Sequence, residues 1–233
     1  MKFLTFLFLT FSFNCYSQTA EEYYNRGVSK EKLGDYMGAV LDYGKSIELN
    51  PKDANFYYNR GTVKLKLEDY RGAIADLSKS IELNPENANF YSNRGLAKTK
   101  LKDSRGGIDD FTKSIELNPK DADLYYNRGN GKLKLEDYRG AIADLSKSIE
   151  LNPENAIFYY NRGLAKFKLE DYRGALIDNT KSIELNPKDP LSYLNRGLAK
   201  ISLNQKNSGC LDLSKAGELG YEKAYEAIKK LCN

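Results

Sequence analysis

Apolar residues along this chain recur at the spacing of amphipathic helices. On the segment 70–81 they follow the pattern i, i+3, i+4, i+7, i+11, which places them on one helical face. These residues are Tyr70, Ala73, Ile74, Leu77 and Ile81. Asp76, Lys79 and Glu82 fall on the opposite face, where i, i+3 spacing allows pairing along the surface. The pattern therefore predicts a helix with an apolar face and a charged face.

Local signals mark where this helix begins and ends. Asp69 stands before it and can cap its first turn. Asn84-Pro85 ends it, because proline restricts the preceding residue and cannot continue the hydrogen-bond ladder. A second helical segment lies upstream, and its Gly61 is small enough to let the two helices approach closely. The unit is predicted to be a helix–turn–helix.

This unit returns at a fixed period. The Asn-Arg-Gly triplet recurs every 34 residues, with its glycine at Gly27, Gly61, Gly95, Gly129, Gly163 and Gly197. The Asn-Pro pair keeps the same period, at Pro51, Pro85, Pro119, Pro153 and Pro187. A fixed period of this length indicates stacked repeats. The segments 57–90 and 125–158 differ only at Thr62/Asn130, Val63/Gly131 and Asn89/Ile157, which indicates duplication of a two-repeat unit.

Positions within a repeat are numbered so that Ala54 is position 1 and Gly61 is position 8. Glycine at position 8, alanine at 20 and proline at 32, on 34-residue units, resemble the tetratricopeptide repeat. The resemblance implies an all-α fold, a right-handed superhelical α-solenoid of six helix-turn-helix repeats plus a C-terminal capping helix. Arg at position 7 and Lys at position 11 in all six repeats depart from the family pattern. Gly107 and Gly209 also depart from it, because they replace the alanine of position 20.

The array is predicted to occupy residues 18–220, with no linker interrupting it. The repeats fall at 20–53, 54–87, 88–121, 122–155, 156–189 and 190–223. The third repeat is expected to be the softest, because Gly106 and Gly107 open its second helix. The predicted capping helix occupies 221–233, and its apolar face is formed by Tyr221, Ala224, Tyr225, Ile228 and Cys232.

Residues 1–17 are predicted to form a signal peptide. Lys2 precedes an apolar run, 3–13, that is too short to span a bilayer, and small residues precede a cut before Gln18. The prediction is an exported protein, periplasmic or secreted, with no stable membrane span after signal cleavage. An uncleaved anchor and a loose apolar tail are the alternatives. Lipidation of Cys15 is disfavoured, because bulky Phe13 and Asn14 precede it.

Two cysteines follow the predicted cut, Cys210 and Cys232. An even count in an exported chain favours a disulfide between them. The alternative is a buried free thiol, since Cys210 occupies a position that is apolar in the other repeats.

The composition and the absence of catalytic motifs argue against an enzymatic function. The chain has no histidine, and its net charge of +4 is too even to indicate nucleic-acid binding. No phosphate-binding loop, Cys-x-x-Cys or nucleophile motif is present in the sequence. We therefore predict no enzyme activity, no cofactor and no metal site, and the oligomeric state stays open.

The resemblance further implies that the first helices line a concave groove, with positions 2, 5, 6, 9, 12 and 13 facing it. Position 6 carries Asn25, Asn59, Asn93, Asn127, Asn161 and Asn195. Position 5 carries Tyr24, Tyr58, Tyr126 and Tyr160, and position 13 carries Lys32, Lys66, Lys100, Lys134 and Lys168. The Asn column resembles the asparagine ladder of the repeat domain of O-linked N-acetylglucosamine transferase, where amides hold an extended peptide backbone.

The predicted function is a non-enzymatic protein-protein interaction scaffold that binds an extended peptide or partner segment in this groove, with lysines favouring an acidic partner. The alternative is a protein that binds carbohydrate or cell-wall glycan through the Tyr/Asn groove. Uniform columns also arise from duplication alone, in which case Asn bonds within the scaffold. The Arg column at position 7 and the Asp column at position 23 are predicted to form ion pairs, with an Arg-lined anion site as the rival. The position 4 tyrosines, from Tyr23 to Tyr193, are expected in the core.

Overall fold

The computed structural model describes residues 18–232, and this part of the chain contains thirteen α-helices and no strand. The predicted signal peptide lies outside the described residues. The first helices of the six repeats are α1 (Ala20–Lys32), α3 (Ala54–Lys66), α5 (Ala88–Lys100), α7 (Ala122–Lys134), α9 (Ala156–Lys168) and α11 (Pro190–Ser202). The second helices are α2 (Tyr36–Leu49), α4 (Tyr70–Leu83), α6 (Ser104–Leu117), α8 (Tyr138–Leu151), α10 (Tyr172–Leu185) and α12 (Lys206–Glu218). A last helix, α13 (Lys223–Leu231), follows them.

Each helix packs against its neighbours in sequence, so the pairs stack one after another. The two helices of a repeat contact each other, and the second helix of one repeat contacts the first helix of the next. The first helices of neighbouring repeats also touch, as α5 does with α3 and α7. This arrangement is the predicted all-α superhelical solenoid of six helix pairs and a final helix, and the fold prediction is confirmed.

The predicted caps set the helix boundaries. Asp69 Oδ1 accepts a hydrogen bond of 2.9 Å from the Gly72 amide at the start of α4. At the other end Asn84 adopts an extended conformation before Pro85 and stops the helix. Gly61 brings α3 and α4 together, because a Cβ there would lie 3.0 Å from Leu77 Cγ and 3.4 Å from the Ala73 carbonyl. The boundaries and the close contact therefore come from residues at fixed places in the repeat.

Buried ion clusters tie the two helices of every repeat together. Asp76 on α4 is 5% exposed and receives Arg60 Nε at 2.8 Å, Arg60 Nη2 at 2.6 Å and Lys64 Nζ at 2.8 Å. The same three positions pair in the other repeats, around Asp42, Asp110, Asp144, Asp178 and Asp212. The predicted Arg–Asp pairs are confirmed, and the position 11 lysine is an addition to them. Placing Asp76 on the solvent face was wrong, because this side of α4 packs against α3.

Three of the position 7 arginines also link one repeat to the next. Arg94 Nη1 donates to Ser78 Oγ at 3.1 Å, Arg128 Nη1 to Thr112 Oγ1 at 3.2 Å, and Arg162 Nη1 to Ser146 Oγ at 3.1 Å. Each guanidinium also lies over the position 4 tyrosine of its own repeat, 4.8–5.9 Å from the ring centroid. These tyrosines were expected in the core; apart from Tyr91 they are only half-buried, because their rings support the arginines.

The C-terminal end is closed by α13. Ala224 is fully buried against α12, and the Tyr225 ring lies where a side chain at Gly217 would otherwise project. A disulfide joins Cys210 on α12 to Cys232 just after α13, with their Cα atoms 5.9 Å apart. Within residues 18–232, none of the helices has the length and apolar character needed to cross a membrane.

Candidate functional site in the groove of repeats 3 to 5

Tyrosines and asparagines of adjacent repeats interlock at the N-terminal end of the groove. Asn59 Nδ2 donates to the Tyr24 hydroxyl at 2.7 Å, and Asn93 Nδ2 donates to the Tyr58 hydroxyl at 3.1 Å. The two rings also pack against the next repeat, Tyr24 at 5.1 Å from Phe56 and Tyr58 at 4.9 Å from Phe90. In these two asparagines a side-chain N–H therefore donates to a partner within the scaffold, as the duplication alternative anticipated.

The remaining asparagines of the column differ from one another. Asn161 Nδ2 donates to the Ile157 carbonyl of its own helix at 2.8 Å. Asn195 is only 7% exposed, and its Nδ2 completes no hydrogen bond. Burial raises the pKa of the neighbouring Tyr160. The six asparagines thus do not form one continuous ladder of available amides.

The interlock is broken between repeats 3 and 4. Ser92 stands where the other repeats place a tyrosine or leucine, so the Asn127 amide of the next repeat has no tyrosine hydroxyl to reach. Within residues 18–232, Asn127 makes no side-chain hydrogen bond. Leu124 replaces the phenylalanine that receives the tyrosine ring elsewhere. Both substitutions remove an aromatic ring from this junction.

An open cavity of about 520 Å³ lies at this break and extends into repeat 5. Its lining is formed by Leu96, Thr99, Lys100, Phe111, Tyr126, Asn127, Asn130, Leu133, Lys134, Asn161 and Leu164. Leucines supply apolar walls, amides supply donors and acceptors, and two lysines stand at the helix ends. The predicted site residues Tyr126, Asn127, Asn161, Lys100 and Lys134 therefore come together in one place, with Asn130 and Thr99 as members that the column analysis missed.

The lysine column is also divided. Lys66 Nζ lies 2.8 Å from Glu31 Oε1 and 5.4 Å from the centroid of the Tyr36 ring. The Glu31 hydrogen bond raises the pKa of Lys66. The lysines at 100, 134 and 168 are exposed and form no salt bridge with any carboxylate of residues 18–232. Positive charge is therefore available in repeats 3 to 5 and neutralised in repeat 2.

The groove holds no constellation for metal binding. Among the described residues, no three His, Cys, Asp or Glu side chains are grouped so that they could hold a metal ion. The periodic carboxylates of position 23 are bound by arginine and lysine. The chemistry that this site offers is hydrogen bonding, apolar contact and attraction of anions.

A family model described as "TPR repeat" matches residues 30–68 and 129–170, and two models described as "Tetratricopeptide repeat" match 54–87, and 88–121 with 156–189. A search of curated proteins finds no match.

Several solved structures share the fold. The structure of YrrB, "a TPR protein with an unusual peptide-binding site", is similar with TM-score 0.70 and 23% identity, over 80% of this chain and 97% of that one. The pilF protein of Pseudomonas aeruginosa gives TM-score 0.76 and 16% identity, over 91% and 97%. A tetratricopeptide repeat protein of Parabacteroides merdae gives 0.63 and 23%, over 92% and 84%. At identities this low, the structural similarity shows a common fold and nothing further.

Proposed function

Because the chain belongs to the tetratricopeptide repeat family, we propose that it is a non-enzymatic scaffold that binds an extended segment of a partner protein in the groove of repeats 3 to 5. The cavity lined by Asn127 and Asn130 carries this proposal. It is the part of the groove where amides predicted to bind a partner are not fully used by the fold. The peptide-binding site named for YrrB is consistent with such a role for a similar fold.

The groups around the cavity suit a peptide backbone. An asparagine amide has both a donor and an acceptor, as a peptide group does, and Asn127 and Asn130 each present one. Leu96, Leu133 and Leu164 are half-buried between them and can receive apolar side chains. An extended segment would therefore find alternating polar and apolar contacts along the cavity.

The glycan alternative has less support from the aromatic residues. A sugar ring packs on the open face of an aromatic side chain, but three of the four groove tyrosines, Tyr24, Tyr58 and Tyr126, pack against a phenylalanine of the next repeat. Tyr126, the tyrosine in the cavity, lies 5.1 Å from Phe158 at an interplanar angle of 36°. The geometry therefore favours a peptide over a saccharide.

Site-specific photocrosslinking tests the proposed groove. A photoreactive amino acid at Asn130 would face the cavity, and the same amino acid at Ala143, exposed on α8, is the matched control. We expect a partner captured from position 130 and absent from position 143. The double variant Asn127→Ala/Asn130→Ala should then bind that purified partner at least about ten-fold more weakly. Unchanged affinity with unchanged helicity, judged against Asn207→Ala, would refute the groove as the binding site.

We further propose that the protein is exported with its signal peptide removed before Gln18. The apolar run 3–13 supports this, and a disulfide between Cys210 and Cys232 is suited to an oxidising compartment. N-terminal sequencing of the protein recovered from envelope and medium fractions would test it. Recovery of intact Met1 from the cytoplasm alone would contradict it.

A further inference from the structure

The groove contains two versions of one subsite, separated by two repeats. An N-terminal cavity of about 320 Å³ is lined by Tyr24, Val28, Glu31, Lys32, Tyr43, Asn59 and Lys66. Six of these residues have counterparts two repeats later that line the larger cavity: Leu96, Thr99, Lys100, Phe111, Asn127 and Lys134. The two cavities are therefore the same place in the repeat with different side chains.

In the N-terminal version the chain supplies its own carboxylate. Glu31 Oε1 lies 2.8 Å from Lys66 Nζ, and Glu31 Oε2 accepts a hydrogen bond of 3.0 Å from the Tyr43 hydroxyl. The side chain of Glu31 is 21% exposed, so the carboxylate lies within the groove wall. This subsite is occupied by an acidic group in the folded protein.

In the second version the carboxylate is missing. Thr99 replaces the glutamate, and its hydroxyl donates to the Gly95 carbonyl of its own helix at 2.7 Å. Phe111 replaces Tyr43, so the hydroxyl that holds the carboxylate is absent too. Lys134, the counterpart of Lys66, forms no salt bridge within residues 18–232. The position that Glu31 fills in repeat 1 is left open beside an unneutralised lysine.

The charged residues that line the open subsite have one sign. Lys100 and Lys134 line the cavity, and Lys168 continues the column one repeat further. Asp123 is the single carboxylate at groove positions of repeats 3 to 5. It lies at the opposite end of α7 from Lys134, about 16 Å away at 1.5 Å per residue. The groove positions at the lysine end of repeats 3 to 5 therefore form a track of positive charge.

Resting on the proposed groove function, we propose that the ligand is an extended acidic segment, one of whose carboxylates takes the place beside Lys134 that Glu31 takes beside Lys66. Neighbouring first helices in contact lie about 8–10 Å apart, and an extended chain advances about 3.3 Å per residue. Acidic residues about three positions apart would therefore meet successive lysines. Glu31 closes the N-terminal end of this track.

Two synthetic peptides provide the probe. Both are labelled 12-residue chains of glycine, alanine and serine, one with glutamate at every third position and the other with glutamine there. We expect the glutamate peptide to bind the mature protein at least about five-fold more tightly at low salt, with the difference shrinking as salt rises. The double variant Lys100→Gln/Lys134→Gln should abolish this preference. Lys113→Gln/Lys147→Gln, which makes the same charge change on the outer face, should keep it.

An exchange of side chains tests the comparison of subsites directly. Thr99→Glu supplies the internal carboxylate and should lower affinity for the glutamate peptide at least about five-fold, leaving the glutamine peptide unaffected. Should Thr99→Glu fold poorly, the lysine pair still decides the matter. Equal binding of both peptides, with Asn127→Ala/Asn130→Ala weakening both, would overturn the acidic ligand and retain the groove. Binding of neither peptide, with the side-chain amide NMR signals of the two asparagines unmoved, would overturn both.

Discussion

The arginine–hydroxyl hydrogen bond that links neighbouring repeats is missing between repeats 1 and 2. Arginines of repeats 3, 4 and 5 donate to a position 25 hydroxyl of the preceding repeat, but Arg60 meets Gly44 at that place. A Cβ built on Gly44 would have Arg60 Nη1 as its neighbour, at 3.7 Å. Gly44→Ser should therefore fit without displacing any atom and place a hydroxyl within reach of the guanidinium.

The expected gain has two sources. Glycine inside a helix costs about 1 kcal/mol relative to alanine, and serine recovers about half of this. A net hydrogen bond contributes about 0.5–1.5 kcal/mol. Gly44→Ser should therefore stabilise the array by about 1–2 kcal/mol, and Gly44→Ala, which restores helix propensity alone, by about 1 kcal/mol.

Urea unfolding of the mature chain would measure both values, with a constant m-value required for the comparison. A double-mutant cycle with Arg60→Lys, which keeps the charge but removes Nη1, isolates the hydrogen bond. We expect a coupling energy of about 0.5–1.5 kcal/mol. A serine variant less stable than the alanine variant, with no coupling to Arg60, would refute the assigned role of the position 25 hydroxyls.

The buried ion clusters, the C-terminal disulfide and repeat 3 each give a further prediction. Asp144→Asn should lower the free energy of unfolding in urea by about 3–5 kcal/mol, because Arg128 and Lys132 would be left beside a neutral group. The exposed control Glu150→Gln should lower it by under about 0.5 kcal/mol. Equal losses would contradict a buried ion cluster. The Arg26 hydrogen bond lowers the pKa of Asp42 from 3.8 to about 2, so this carboxylate stabilises the fold above about pH 4, and its contribution is lost as the pH falls towards 2. Asp42→Asn should therefore flatten the acid limb of the stability profile, and an unchanged limb would argue against the pairing. The Cys210–Cys232 disulfide closes a loop of 22 residues, so Cys232→Ser should destabilise the C-terminal end by about 3 kcal/mol. The denatured mature protein should titrate no thiols before reduction and two after it. Two thiols without reductant would exclude the bond. Amide exchange should be faster in repeat 3 than in repeats 2 and 4, and Gly107→Ala should not correct this, because the added methyl would overlap Thr99 Oγ1; slower exchange in repeat 3 would reverse the assignment.

Much of the fold was readable from the sequence because its signals are local and repeated. The cap at Asp69 and the stop at Asn84 act within one turn of the helix that they bound. The position 8 glycine, Gly61 in repeat 2, marks the contact between the two helices of each repeat by its small size. Five occurrences of the aspartate cap and of the Asn-Pro stop, and six of the glycine, all in phase, leave little freedom for another fold.

The partners of individual side chains were less readable. Whether Asn59 is available to a ligand depends on Tyr24, which lies 35 residues earlier, so a uniform column of asparagines conceals different environments. Asp76 was misplaced because a helix in this array packs against its own repeat and the next one, and the side opposite the apolar stripe is not all solvent. The signals for the two cavities were Ser92, which interrupts the tyrosines of position 5, and Glu31, a charged residue at a position that is mostly apolar in the other repeats. Their meaning required the neighbouring repeat.

The near-identity of two repeats indicates which surface has changed. Segments 57–90 and 125–158 share their whole second helix, so the ion cluster and the outer face are the same in both. Their three differences all lie on first helices, two of them at groove positions: Thr62/Asn130 and Asn89/Ile157. Asn130 lines the open cavity, and the third difference, Val63/Gly131, places Ile108 Cγ1 only 2.9 Å from where a Cβ of residue 131 would lie. A duplicated unit that kept its scaffold and altered its groove is what a binding role for repeat 4 requires, since an unselected copy would accumulate changes on its outer helices as well.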